Sequence, residues 1–361
     1  MNAPTRSRLR AGYTLLELLV VITIAALLIG LAVPAFRGIL ESSRRTLAES
    51  KLQQALYAAR DAATASTGAG DAAAVFTFEP GGGVRVLTCI EVGSLLDETP
   101  TGLSFGGGGG VFERRDVFVP ISTFEPVQLP PGTGVRGFVL GSSFQNEVDW
   151  FDRLEGFVGS GTPIEPGFWV FPETAYFDGE EIDSGNTRQS FMVRFTQGEG
   201  TLSRDLSRAL VLEPALSETE SVANIEDLAE ADDLEIWAKR LLSRADADDR
   251  QRRVLGNESV HTILVGPVTE LALYEERELA RAIGARGVNR ESGTVFLPTG
   301  DLVEVDRAVY ADSYRRLTQF ASQWIEGRLD VVDAGVADVG DAQARLFAVN
   351  AFFGDLVEIN R

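Results

Sequence analysis

The chain has 361 residues, 44% hydrophobic and 24% charged, enough to bury one or two globular cores. A net charge of −20 repels a phosphate backbone and counts against nucleic-acid binding, since Arg250, Arg252 and Arg253 form only a local basic cluster. With one cysteine, Cys89, and one histidine, His261, neither an intrachain disulfide nor a His/Cys metal cluster can be built. From the N-terminus, residues 1–11 carry Arg6, Arg8 and Arg10 and no acid, a basic head of the kind that stays on the cytoplasmic side of a membrane. Next comes Gly12-Tyr13-Thr14-Leu15-Leu16-Glu17, and then sixteen residues without a charge, Leu18 to Val33, with apolar character continuing to Phe36. At about 1.5 Å per residue the stretch from Leu18 to Phe36 spans roughly 28 Å, which predicts one membrane-spanning helix.

Glu17 is the anomaly in that stretch. An acid inside an apolar run is unfavourable by roughly 3 kcal/mol on insertion scales unless something compensates it. A capping box, Thr14-x-x-Glu17, would satisfy the first N–H groups of the helix, but it does not require the long uncharged run beyond it. An ordinary secretory signal cut near Val33-Pro34-Ala35 is a further reading, disfavoured by the proline before the cut and by the acid.

Taken together, Gly12, Tyr13, Glu17 and Pro34 resemble the N-terminal signal of type IV pilins and type II secretion pseudopilins. The resemblance covers about 25 residues. It implies that a prepilin peptidase cuts after Gly12 and methylates the new amino terminus at Tyr13. It also implies that Glu17 pairs with the Tyr13 amine of a neighbouring subunit during assembly. Pro34 falls where the family's helix-kinking proline lies, and a proline inside a helix removes a donor and clashes with the preceding turn. Removing residues 1–12 takes away three arginines and moves the net charge from −20 to −23.

Beyond Pro34 the pattern becomes amphipathic. Leu52, Leu56, Ala59 and Ala63 recur at helical spacing, and Gly68-Ala69-Gly70 ends the run. One helix is expected from Thr14 to about Ser66, with its second half packed on a soluble domain. Residues 52–63 also resemble the corresponding helix of H-type minor pseudopilins.

Strand signals dominate the remainder of the chain. Ala73 to Glu79 and Val84 to Ile90 read as a hairpin across Pro80-Gly81-Gly82-Gly83, with Cys89 as a buried strand residue. Val135 to Leu140, Phe168 to Phe171, Phe191 to Thr196 and Ala209 to Leu212 are further strands, and Gln197-Gly198-Glu199-Gly200 is a turn. Residues 214–253 read as acidic and helical, with Leu234, Trp237 and Leu241 on one face. Val260 to Tyr274 reads as β-rich, Glu275 to Ala285 as a short helix, and Thr294 to Leu297 with Leu302 to Val305 as a hairpin. Tyr310 to Trp324 and Asp341 to Phe353 read as amphipathic helices. The expected fold class is therefore α+β. A long N-terminal helix, transmembrane in its first half, packs its second half on a mainly antiparallel β domain, with extra helices in the C-terminal part. The expected organisation is 1–12 cleaved leader, 13–36 transmembrane half, 37–66 amphipathic half, 67–213 β-rich pilin-like domain and 214–361 α+β extension.

Catalytic chemistry has little to stand on. His261 sits in an apolar strand context, and the Gly-rich runs lack the lysine of a phosphate-binding loop. Asp178-Gly179-Glu180-Glu181-Ile182-Asp183 is oxygen-rich but lacks the EF-hand spacing, and an exposed acidic turn explains it better than a calcium site. No catalytic residue, cofactor or metal site is assigned. The expected function is a pilin-like structural subunit, a minor pseudopilin of a type II secretion or type IV pilus machine. Its partners are the prepilin peptidase, other pilin or pseudopilin subunits and the membrane. The expected location is the bacterial inner membrane, single-pass, with the globular domain in the periplasm or on an extracellular filament. The competing reading is a single-span anchored periplasmic binding protein that never polymerises. Glu17 separates the two, because a plain anchor gains from losing it and an assembling subunit does not. Glu17 also argues against the large tip subunit of type II secretion complexes, which resembles this chain in size but typically lacks the acid.

Overall fold

In the computed structural model the described residues are 15–65, 70–79, 83–97, 113–140, 167–172, 188–213, 234–243, 262–276, 278–279, 294–296, 302–304, 321–327 and 344–359. Helix α1 spans Leu15–Ala65. It runs through Pro34 without a break. The chain divides into two units, Met1–Leu47 and Ala48–Arg361.

Within the second unit, α1 buries Ala48, Leu52, Ala55, Leu56, Ala59, Ala62 and Ala63. The three- and four-residue steps place these side chains on one face, and their small size lets the backbone approach the strands closely.

Six strands close into a barrel. They are β1 (Ala72–Glu79), β2 (Gly83–Asp97), β3 (Glu113–Pro120), β7 (Arg188–Phe195), β8 (Ala209–Leu212) and β9 (Thr262–Pro267). Their order is β1-β7-β9-β8-β3-β2, and β2 pairs back to β1, which removes both free edges. A two-residue strand, β4 (Val127–Gln128), is added outside on β2. The β3–β8 and β7–β9 pairs are parallel and the other barrel pairs antiparallel.

Alternation along these strands fills the barrel from within. Ala73, Val75, Leu87, Cys89, Phe118, Met192, Ala209, Val211, Ile263 and Val265 form a core of their own, all buried. The alternate positions, among them Phe76, Val86, Val117, Phe191, Val193, Leu210 and Leu264, belong to a second and larger core with the α1 stripe. Every barrel strand is therefore apolar on both faces, which explains runs such as Ala209-Leu210-Val211-Leu212 that lack polar alternation.

A second sheet holds five antiparallel strands in the order β14-β13-β10-β5-β6. These are β5 (Thr133–Leu140), β6 (Gly167–Val170), β10 (Glu270–Glu275), β13 (Arg345–Val349) and β14 (Leu356–Ile359). An aromatic pair joins it to the barrel exterior: Phe78 lies 5.2 Å from Phe171, the residue after β6, ring centre to ring centre. Strands β11 (Thr294–Phe296) and β12 (Leu302–Glu304) form a separate hairpin. Helix α2 (Leu234–Ser243) packs over the bulge in β2, where a Cβ on Gly93 would stand 3.1 Å from Leu242.

The expected fold class is overturned. In place of an α+β fold, the described chain is dominated by strands around a closed six-stranded barrel, whose pairing is mainly antiparallel with two parallel pairs. The transmembrane half is corrected too. Among the described residues no helix is long and apolar enough to cross a membrane. One C-terminal helix is also not as expected: residues 345–349 form β13, because pairing with β10 on one side and β14 on the other overrides the helical propensity of Ala-Arg-Leu, whereas the described residues 321–325 of the expected Tyr310–Trp324 helix are helical. Strands β9, β10, β13 and β14 lie in the same sheets as strands from before residue 213, so position 213/214 divides the sequence and not the sheets.

Candidate assembly surface and processing segment

Along the start of α1 the exposed side chains are almost all apolar. Leu15, Leu16, Leu18, Leu19, Val20, Val21, Ile22, Ile24, Leu27 and Leu28 are exposed, Leu15 by 84% and Leu28 by 60%. At 100° per residue these positions cover every side of the helix, unlike the one-sided stripe at 48–63. Thr23, within the run, donates its hydroxyl to the Leu19 carbonyl at 2.8 Å and so presents no open donor. A helix apolar all round has no stable place in water. Each leucine, valine or isoleucine gains about 1.5–3 kcal/mol on burial, so the segment needs lipid or other helices around it.

The second unit ties its C-terminal hairpin to α1 by polar bonds. Gln53 donates through Nε2 to the Gly354 carbonyl at 3.1 Å, and its Oε1 accepts the Leu356 N–H at 2.8 Å. One turn further, the Tyr57 hydroxyl donates to Asp355, and this bond raises the phenol above its ordinary value. Arg345 on β13 reaches Glu49 on α1 and Glu358 on β14 together. Gly354 has a φ of +70°, and a Cβ there would stand 3.2 Å from Phe195, so the turn requires glycine on both counts. At the tip of this turn Phe352 and Phe353 are 70% and 58% exposed.

Charged groups close both ends of the barrel. At one end Arg85 pairs with Glu213 and donates to Thr77 Oγ1 at 3.4 Å. At the other, Arg194, 6% exposed, meets Asp71 at 2.7 Å, Asp116 at 2.9 Å, Glu91 at 3.1 Å and Asp205 at 3.4 Å, with Phe118 beneath it. Burial works against the guanidinium charge, and the bonds from Asp71 and Asp116 more than offset it, so the Arg194 pKa is raised. Between the two ends, burial also pushes the Cys89 thiol well above its ordinary value, which leaves it a packing group and not a nucleophile.

Of the residues singled out in sequence for processing and assembly, only the backbones of Glu17 and Pro34 are described. Gly12 and Tyr13 lie outside the described residues. The backbones of Glu17 and Pro34 belong to α1, about 26 Å apart along its axis, and their side chains are outside the described set. His261, Asp178 to Asp183 and Arg250 to Arg253 are also outside it. Sequence reasoning missed the Gln53, Tyr57 and Arg345 contacts and the carboxylates around Arg194. Their members are separated by up to about 300 positions, and no local spacing announces them.

No curated protein and no solved structure matches the chain. One family model does match, the prokaryotic N-terminal methylation motif, over residues 7–33. Those residues contain Gly12, Tyr13 and Glu17 and most of the helix that is apolar on every side. The chain thus carries the signature of the prepilin-type signal found in type IV pilins and pseudopilins.

Proposed function

We propose that this protein is a pilin-like structural subunit, a minor pseudopilin that joins a type II secretion or type IV pilus filament. The observation that carries the reading is the coincidence of the methylation motif at 7–33 with a helix start whose exposed side chains are apolar on every side. A prepilin peptidase removes residues 1–12 by cutting after Gly12 and methylates the Tyr13 amine. Side by side with like helices, the Leu15 to Leu28 segment leaves water, and Glu17 finds the Tyr13 amine of its neighbour. The pair fixes the register of the added subunit, because either charge alone in that apolar setting is strongly unfavourable. Pro34 adjusts the helix where it leaves the bundle. The globular portion, whose helix 52–63 has the pattern of H-type minor subunits, then stands in the periplasm or on the filament surface.

The motif marks a family of structural proteins, and the reading needs no catalytic residue. It places the protein at the membrane or on a filament, and we assign the bacterial inner membrane as its point of assembly. Mass spectrometry of the mature protein tests the reading. The expected N-terminus is Tyr13 carrying one methyl group. Met1 retained, or a start near Ala35, would overturn it. A processed subunit that never co-purifies with other pilin-type chains would instead indicate an anchored protein that does not polymerise.

A further inference from the structure

At the Arg194 end of the barrel, four carboxylates of the described residues meet one guanidinium. Asp71 comes from the segment after α1, Glu91 from β2, Asp116 from β3 and Asp205 from the loop between β7 and β8; all four carboxylates reach the Arg194 guanidinium. Glu91, Asp116 and Asp71 share the inward strand parity of Cys89, Phe118 and Ala73, so they face one another across the barrel end. Two of them are joined through the backbone as well: the Asp71 N–H donates to Glu91 Oε2 at 3.1 Å, and the Glu91 N–H to the Asp71 carbonyl at 2.8 Å. Asp71 in turn accepts the Gln197 N–H at 2.9 Å, beside the bond from the Gly198 N–H to the Ala63 carbonyl near the end of α1. The cluster thus fastens the C-terminal end of α1 to three barrel strands.

We propose that this barrel end is a proton-operated latch, in which one proton held at Glu91 lets the four carboxylates close on Arg194 and its loss loosens the grip on Asp71 and the α1 terminus. The charge balance carries it: three half-buried acids, Asp71, Glu91 and Asp116, and the exposed Asp205 meet one guanidinium, an excess that a single proton reduces. Glu91 is the acid that takes it. Burial pushes its carboxyl up, the Asp116 charge pushes it further, and Arg194 opposes both without cancelling them. Asp205 behaves oppositely: burial raises it, but the bonds from Ser207 and the charge of Arg194 prevail and hold it below its ordinary value. The sign comes from linkage. The closed state binds the Glu91 proton more tightly than the open state, so this stabilisation is complete below the ordinary carboxylate value and is lost as pH rises through the raised one.

Hydrogen exchange of the full processed chain in detergent, followed as pH rises from the ordinary carboxylate range to neutrality and corrected for intrinsic rates, tests the latch. Protection at Asp71 and Gln197 is expected to fall as pH rises, by up to about tenfold per pH unit for one linked proton. Protection at Leu210 and Leu264, on strands that contribute nothing to the cluster, is expected to stay level. Glu91→Gln should abolish the slope, and Asp116→Asn should move its onset to lower pH by removing the nearest repelling charge. Should Glu91→Gln fail to fold, the Asp116→Asn shift still decides the matter. A flat profile in the wild-type chain, or one slope shared by wild type and both variants, would overturn the proposal.

Discussion

Gln53 on α1 and Leu356 on β14, 303 positions apart in sequence, are joined by a 2.8 Å bond from the Leu356 N–H to the Gln53 side-chain oxygen. The same amide group donates to the neighbouring Gly354 carbonyl, so one side chain satisfies two backbone groups of a turn that exposes its two phenylalanines. β14 is an edge strand with little apolar burial of its own, and these polar bonds hold it against the helix. Replacing Gln53 with Ala should therefore destabilise the protein by roughly 1–3 kcal/mol, the loss of two hydrogen bonds with their partners left half-buried. Chemical denaturation measures this. Faster amide exchange at Leu356, with β8 and β9 unchanged, would place the loss at the hairpin.

Acid should loosen the same hairpin by another route. The bonds and charge of Arg345 hold the Glu358 carboxyl below its ordinary value. Its contribution is therefore present above the ordinary carboxylate pKa and is lost as pH falls through the lowered one. In Glu358→Gln, hairpin exchange should lose its acid dependence below about pH 4.5 while remaining near wild type at pH 7, because an exposed ion pair contributes little there. Acid sensitivity unchanged in the variant would show that Arg345 works through Glu49 alone.

Cys89 offers a probe of the barrel interior. It is fully buried in the inner core that also holds Val75, Leu87, Phe118 and Met192. A thiol reagent should modify it only as the barrel unfolds, with a rate that tracks global opening. Cys89→Ala should be tolerated at about 1 kcal/mol, a small cavity. Cys89→Ser should be worse, by roughly 1–3 kcal/mol if the hydroxyl finds no partner among these apolar side chains. Rapid labelling of the folded protein would contradict the sealed interior.

Local signals carried much of this fold and misled at identifiable places. The hairpin of β1 and β2 was legible because Pro80-Gly81-Gly82-Gly83 separates two apolar runs, and the observed register pairs Val75 with Leu87. β8 was legible residue for residue, since a short run of four apolar residues ends at Glu213. Closure of the barrel was not. It depends on β1 pairing with both β2 and β7, and on parallel pairs such as Val117 with Leu210, which join segments about 90 residues apart. β13 was read as helix because Ala342, Ala344 and Ala348 favour one, whereas Phe347 and Leu346 find their burial between two strands. The motif at 7–33 is the reverse case: it contains Gly12, Tyr13 and Glu17 in one short contiguous string, which local reading can find.

The recognition of that string should depend on Gly12. A peptidase that cuts at the membrane face needs close approach to the backbone, and a side chain at this position obstructs it. Gly12→Leu should leave the uncut precursor, heavier by residues 1–12 and without the methyl group. Intact mass reads both differences at once. Normal processing of Gly12→Leu would place the cut elsewhere and remove the basis for assigning Tyr13 as the mature terminus.

Glu17 decides between a subunit that assembles and one that is merely anchored. Glu17→Val makes the start of α1 more apolar and leaves the Gly12-Tyr13 junction unchanged, so cleavage and methylation should proceed. What should fail is docking. The Tyr13 amine of a neighbouring subunit would face the apolar bundle without a counter-charge, and breaking such a pair costs about 3–5 kcal/mol. At a factor of ten per 1.4 kcal/mol, that lowers subunit affinity by roughly two to three and a half orders of magnitude. The measurement is co-purification or crosslinking with other pilin-type subunits, comparing wild type and Glu17→Val at equal abundance and with the mature N-terminus verified in both. Glu17→Asp separates charge from reach: it keeps the carboxylate but shortens it by one methylene, and partial recovery is expected. If Glu17→Val assembles at wild-type yield, the acid serves only to cap the first turn of α1, and the pairing with Tyr13 is refuted.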